Sequence, residues 1–257
     1  MRDLRKSFEI SSGSLRASDR HAAVDGVSFT LAPGETLGIV GESGCGKTTL
    51  ARMLLRLLDP DSGVVLFCGQ DLLRARGAGL RSLRRRMQMV FQDPVASLNP
   101  RMRVGEIVGE PLAIHDPRLS RAQRRDRVAE MLVAVGLGAE ALRRFPHEFS
   151  GGQRQRIGIA RALILRPELV VADEPVSALD VSIGAQILDL LARLQSEFSL
   201  TLILISHSLP VVAQLASRVA VMRAGRFVES GPAAQVLVAP RNPYTQSLLA
   251  AVPEIPG

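Results

Sequence analysis

At 257 residues with 46% hydrophobic content, the chain is long enough to bury a substantial core, which excludes a disordered tail and any need for covalent staples. No apolar run approaches the roughly 18 residues that cross a bilayer, no apolar signal core follows Met1-Arg2-Asp3-Leu4, and only Cys45 and Cys68 are present; a soluble chain in a reducing compartment is expected. The net charge is +7, but all 32 basic residues except Lys6 and Lys47 are arginine, aromatics are 4% and Trp is absent, so the skew reads as coding bias more than as a binding device, a base-stacking platform for nucleic acid is hard to build, and the basic stretches read as solvated or membrane-apposed faces in preference to a nucleic-acid surface.

In chain order, residues 27–31 predict a half-buried strand, 32–35 a turn, and 36–40 a buried strand. A helix is expected from within 46–48 to about residue 58, with Leu50, Leu54, Leu55 and Leu58 on one face. Residues 59–63, Asp-Pro-Asp-Ser-Gly, stop it. Residues 64–68 and 86–91 predict further strands. From about 94 to 165 strand-like runs vanish, and helical spacing appears at 104–112, 121–135 and 152–164. Alternation then returns: a strand at 169–172, a helix at 183–198, a strand at 200–205, a helix at 209–215, and a short β pair at 218–223 and 226–229. Pro240, Pro243, Pro253 and Pro256 punctuate the tail and leave one short amphipathic helix around 244–251. Apolar strands alternating with helices imply an α/β chain, a mostly parallel sheet flanked by helices. A helical insert interrupts it.

Gly41-Glu42-Ser43-Gly44-Cys45-Gly46-Lys47-Thr48, followed by Thr49, fits G-x-x-x-x-G-K-[ST] between an expected strand and an expected helix, the context that makes the pattern specific. The glycines let backbone N–H groups wrap a phosphate, and the helix N-terminus adds partial positive charge. Lys47 is expected to reach the β- and γ-phosphates and the Thr48 hydroxyl to bind Mg²⁺. Cys45, before the helix and close to Lys47, is expected to have a lowered pKa and to alkylate fast, with Cys68 inert on a buried strand.

The strand at 169–172 delivers Asp173 and Glu174 to its C-terminal edge. Alone, such a pair reads equally as a helix cap; with the phosphate loop upstream, Asp173 reads as a holder of Mg²⁺ and Glu174 as the general base that polarises an attacking water. Ser150, Gly151, Gly152 and Gln153 open a helical stretch and form a second anion site. Gln92 closes one expected strand and His207 another. His21, His115 and His147 have no metal-ligand spacing with one another or with cysteine and read as surface or capping residues.

In this order, these residues resemble the ATP-binding subunits of ABC transporters over essentially the whole chain. The resemblance implies a single nucleotide-binding domain over 1–257, with a P-loop NTPase core, an N-terminal antiparallel β part, a helical subdomain at about 94–165 and a tail at about 232–257. It implies that Ser150, Gly151, Gly152 and Gln153 meet the γ-phosphate held by a partner subunit. Gln92 would sense Mg²⁺, the attacking water and the membrane subunit, His207 would be the γ-phosphate switch, and Asp180, in Ser177-Ala178-Leu179-Asp180, would signal across the dimer. Phe8 matches the aromatic that stacks on adenine, although an apolar residue near a first strand is usually core. Ser208 follows His207 where most relatives carry Asp, and Phe149 replaces the more frequent Leu.

Residues 89–102, 145–156 and 242–249 are similar to the ATPases of dipeptide and oligopeptide importers and of nickel importers in the same branch, and resemble their "F" type more than their "D" type. The first strand is expected to lack its usual leading residues, and the cysteine-bearing tail of many relatives has no counterpart. The resemblance implies ATP as substrate, Mg²⁺ as cofactor, a second ATP-binding subunit that is a D-type paralogue, two permease subunits, an indirect link to a substrate-binding protein, and a place on the cytoplasmic face of the membrane. Peptides are the expected cargo, with nickel or another small solute as the alternative. A soluble ABC-type ATPase outside transport would carry coiled-coil arms or two fused cassettes, and neither is present.

Overall fold

The structure is a computed structural model and describes residues 1–10 and 19–251. Residues 252–257, the end of the expected tail with Pro253 and Pro256, lie outside the described residues. Strands β1 (Arg2–Ile10), β2 (Asp19–Val27) and β3 (Thr36–Val40) precede helix α1 (Lys47–Leu54). The short strands β4 (Ser62–Val64), β5 (Leu66–Phe67) and β6 (Gln70–Asp71) lead to α2 (Gly77–Arg86) and β7 (Met87–Val90). Helices α3 (Pro94–Ser97), α4 (Val104–His115), α5 (Arg121–Ala134) and α6 (Gly151–Leu163) come next, with 3-10 turns at Ala139–Arg143 and Pro146–Glu148. Then come β8 (Leu169–Asp173), α7 (Val181–Phe198), β9 (Thr201–Ser206) and α8 (Leu209–Leu215). The pair β10 (Arg218–Arg223) and β11 (Arg226–Pro232) is followed by α9 (Ala233–Val238) and α10 (Pro243–Ala250).

These elements form two compact units, one from residues 1–80 and 204–257, the other from 81–203. In the first, β1 is the middle strand of an antiparallel sheet in the order β2-β1-β4. Every residue of β3 is buried, and β3 pairs in parallel with β10, which pairs antiparallel with β11. A strand covered on both faces has no use for polar alternation, which accounts for the run Leu37-Gly38-Ile39-Val40. Helix α8 lies on this strand: a Cβ on Gly38 would fall 2.0 Å from Val212 Cγ1.

In the second unit, β7 and β8 pair in parallel with Met87 opposite Leu169. Helices α3, α4 and α5 all pack on α6, which buries Ile157, Ile159, Ala160 and Leu163. A capping box opens α5: Gln123 N donates to Ser120 Oγ (3.2 Å), and Ser120 N to Gln123 Oε1 (2.9 Å). Arginines satisfy carbonyls that helix ends and turns leave over. Arg156 donates to Val135 O (2.7 Å) at the C-terminus of α5, Arg161 to Ser97 O (2.6 Å) and Arg154 to Pro146 O (2.9 Å). Burial lowers the pKa of Arg161 from its ordinary value. Part of the arginine content is therefore structural.

Several elements depart from the sequence expectation. No strand forms at 28–31, because β2, ending at Val27, already occupies the place beside β1. Residues 28–29 instead cross the start of β1, where the Met1 amine donates to Phe29 O (2.8 Å) and Asp3 N to Ser28 Oγ (2.8 Å). Helix α1 stops at Leu54 because Arg56 turns left-handed (φ 49°) and commits its guanidinium to Asp59 (3.2 Å) and Leu72 O (3.0 Å). The expected strand at 64–68 breaks after Val64, and Cys68 (φ 47°) and Gly69 (φ 77°) make the turn of a β5–β6 hairpin.

Replacing Arg156 by Met leaves the Val135 carbonyl at a buried helix end without its donor. We expect a loss of about 1–3 kcal/mol in urea-induced unfolding, against less than about 0.5 kcal/mol for Arg125→Ala on the exposed face of α5.

Candidate functional site

The residues singled out in the sequence fall on both units, and each half is built by its own local rules. In the first unit, β3 runs into the loop 41–46 and α1 starts at Lys47. Gly46 is the N-cap of α1 in a left-handed conformation (φ 109°), and a Cβ there would lie 1.9 Å from Ala23 O. No other residue type satisfies both conditions. Gly225 N, in the β10–β11 turn, donates to Cys45 O (3.0 Å) and braces the loop from outside.

Lys47 is buried to 6% exposure. Its ammonium donates to Gly41 O (2.7 Å) and Glu42 O (2.8 Å) and lies 3.8 Å from Cys45 Sγ. A buried cation on neutral carbonyls, at the positive end of a helix, is a site built for an anion. Glu42, Ser43 and Gly44 are exposed, Thr48 and Thr49 half-buried. Cys45 reverses its expectation. It is buried, and burial, the largest influence, pushes its thiol pKa up against the opposing pull of Lys47. Cys68 is the exposed cysteine.

Phe8, on β1 opposite His21, is 43% exposed with the Lys6 ammonium 5.9 Å from its ring centroid. It is not a core residue. His207 follows β9 and is exposed; behind it, Ser208 N donates to Ser206 Oγ (3.0 Å) and Ser208 is the N-cap of α8.

In the second unit, the fully buried strand β8 ends in Asp173, 3% exposed, and Glu174, 9% exposed. Glu174 has φ 51°, a left-handed backbone rarely taken by residues with a Cβ. Its carbonyl accepts from Ser177 N (3.3 Å) and Ser177 Oγ (3.1 Å), which turns the chain away from the strand. Asp180 is the N-cap of α7 and accepts from Ile183 N (2.9 Å). Ser150 is the N-cap of α6: Gln153 N donates to Ser150 Oγ (3.3 Å) and Ser150 N to Gln153 Oε1 (3.0 Å). The first turn of α6 sits close on α7, since a Cβ on Gly152 would lie 2.4 Å from Ile183 Cγ2. Gln92 lies exposed just beyond β7.

Tyr244 lies in the stretch 242–249, to which the sequence assigns no site residue. The structure places its hydroxyl 3.5 Å from Glu42 N. Nothing in the spacing signals this, because 202 residues separate the two.

Within the first unit, Lys47 and the helix N-terminus suit a phosphate, and the neighbouring Thr48 hydroxyl is a hard oxygen donor of the kind Mg²⁺ prefers. Within the second unit, the Asp173 carboxylate is a donor of the same kind.

A family model described as ABC transporter matches residues 24–177. The chain is 52% identical over 254 residues to the oligopeptide transport ATP-binding protein OppF of Salmonella typhimurium, covering 98% of this chain and 76% of that protein. It is 49% identical over 253 residues to the dipeptide transport ATP-binding protein DppF of Escherichia coli, covering 98% and 75%. A solved dimeric ATP-binding cassette in a post-hydrolysis state, bound to ADP and Pi, matches with a TM-score of 0.79 at 28% identity over 90% of this chain and 97% of that one.

Burial sets the order of cysteine reactivity. A maleimide at neutral pH is expected to label Cys68 first, and Cys45 only slowly. Because the Cys45 pKa is raised, its labelling rate should climb at a higher pH than that of an ordinary thiol, near 8.5. Peptide mass spectrometry across a pH series reads both.

Proposed function

The chain belongs to the ABC transporter ATP-binding family, and from that premise we propose that it is the MgATP-hydrolysing subunit of a peptide importer. It works on the cytoplasmic face of the membrane with a second ATP-binding subunit, a D-type paralogue, and two permeases. A substrate-binding protein delivers the cargo to the permeases. The observation that carries the reading is the Lys47 ammonium, buried in a glycine loop on two neutral carbonyls at the start of α1. The peptide assignment is supported by identity of about half to both OppF and DppF across nearly the whole chain.

In this reading the ammonium of Lys47 turns from Gly41 O and Glu42 O to the β- and γ-phosphates, and the loop amides hold the remaining phosphate oxygens. Thr48, Asp173 and Gln92 are the residues that would hold Mg²⁺, which would supply charge neutralisation for the phosphates. Phe8 stacks on the adenine. Glu174 orients a water and takes its proton as the water oxygen bonds to the γ-phosphorus and the bond to the ADP oxygen breaks. Burial of Glu174 keeps competing water from that carboxylate. His207 contacts the γ-phosphate. Ser150, Gly151, Gly152 and Gln153 serve the nucleotide of the partner subunit, and Asp180 carries its state across the dimer.

Glu174→Gln preserves the shape of the side chain and removes the proton acceptor. It is expected to leave MgATP affinity within about twofold and to lower turnover by roughly 10²–10⁴, the usual contribution of a general base. The ATP-bound dimer should accumulate. The measurement is phosphate release by the assembled transporter, and a near wild-type rate would refute the role given to Glu174.

A further inference from the structure

The first turn of α10 is fixed to β11 at several points. The Glu229 carboxylate accepts from the backbone N–H groups of Arg241 (2.8 Å) and Asn242 (3.2 Å). Asn242 Nδ2 donates to Val228 O (3.2 Å), and Asn242 Oδ1 accepts from Tyr244 N (2.9 Å) as the helix cap. Tyr244 is thereby aimed inward. It is buried to 8% exposure, with the Arg223 guanidinium 4.6 Å from its ring centroid. Its hydroxyl oxygen faces Glu42 N at 3.5 Å.

The N–H of Glu42 and the carbonyl of Gly41 belong to one planar peptide unit. Lys47 holds the carbonyl end of that plane (2.7 Å) and Tyr244 faces its N–H end. A phosphate that draws off the ammonium releases the carbonyl end, and the phenol is then the group that keeps the plane from rotating. We propose that Tyr244 is a positioning residue of the phosphate loop, through which the docking of α10 and the occupancy of the loop favour one another. The proposal rests on the reading of this loop as the MgATP site. Linkage makes the effect reciprocal: what α10 adds to nucleotide affinity, nucleotide returns to α10.

The test is MgATP binding to the full chain by calorimetry, with amide exchange over residues 41–45 and the thermal midpoint recorded alongside. Tyr244→Phe keeps the ring and its packing. Losing one hydrogen bond predicts a Kd for MgATP raised about three- to tenfold, faster exchange in the loop and an almost unchanged midpoint. In the assembled transporter, KM should rise with kcat within about twofold. Asn242→Ala retains the phenol and removes its aim, and should move Kd in the same direction by less; it decides the matter if Tyr244→Phe does not fold. Wild-type affinity and wild-type exchange in the variant that folds would overturn the proposal. A wild-type chain that binds no MgATP, or a Lys47→Ala chain that binds it as well as wild type, would instead overturn the reading of the loop.

Discussion

A buried ammonium that leans on neutral backbone carbonyls is the constraint on which the first unit depends. Desolvating a cation costs several kcal/mol unless other dipoles replace the water. At Lys47 the replacement is the loop's own backbone, through Gly41 O and Glu42 O. That arrangement dictates the rest of the loop. Its Gly41 and Glu42 carbonyls point to the ammonium, while two of its amides have partners of their own, Glu42 N facing the Tyr244 hydroxyl (3.5 Å) and Cys45 N donating to Glu42 O (3.3 Å). The chain must turn sharply enough at Gly46 to pass Ala23 O, which only a residue without a Cβ does. Carbonyls are also weaker partners for an ammonium than the oxygens of a polyphosphate, so the ligand-free loop is preorganised for exchange.

The second unit solves a different problem with equal economy. Ser150 and Asp180 are each the N-cap of a helix, α6 and α7, and each spends its side-chain oxygen on a backbone N–H of its own first turn. A cap of this kind is worth about 1 kcal/mol. Ser150, proposed to face the nucleotide of a partner subunit, and Asp180, proposed to signal across the dimer, are thus the residues that define where two helices begin. Any movement of the Ser150 hydroxyl toward a phosphate gives up part of a cap. Glu174 is held in place in a related way, by a left-handed backbone and two hydrogen bonds to its own carbonyl from Ser177.

What was legible in the sequence follows from how local the causes are. Strand β3, helix α8 and strand β10 lie where their apolar spacing places them, and the phosphate loop is legible because its glycines, lysine and flanking elements are contiguous. The strand expected at 27–31 failed because alternation describes a surface without saying which segment occupies it; the neighbouring position on β1 belonged to residues 19–27. The Cys45 expectation failed on magnitude. Proximity to Lys47 and a helix N-terminus was read correctly, but desolvation outweighs both and no local pattern reports burial. The partners of the α6 arginines are illegible for the same reason, since Val135, Ser97 and Pro146 are carbonyls distant in sequence.

Tyr244 joins the part of the chain that resembles the peptide-importer branch to the loop that resembles every nucleotide-binding cassette. The size of that link bounds what it can do. A phenol facing an amide at 3.5 Å is long for a hydrogen bond, and a single such bond is worth about 0.5–1.5 kcal/mol at full strength. Moving a two-state element from almost wholly released to almost wholly docked takes about 5.5 kcal/mol. The α10 contact is therefore a modulator of nucleotide affinity and not a switch.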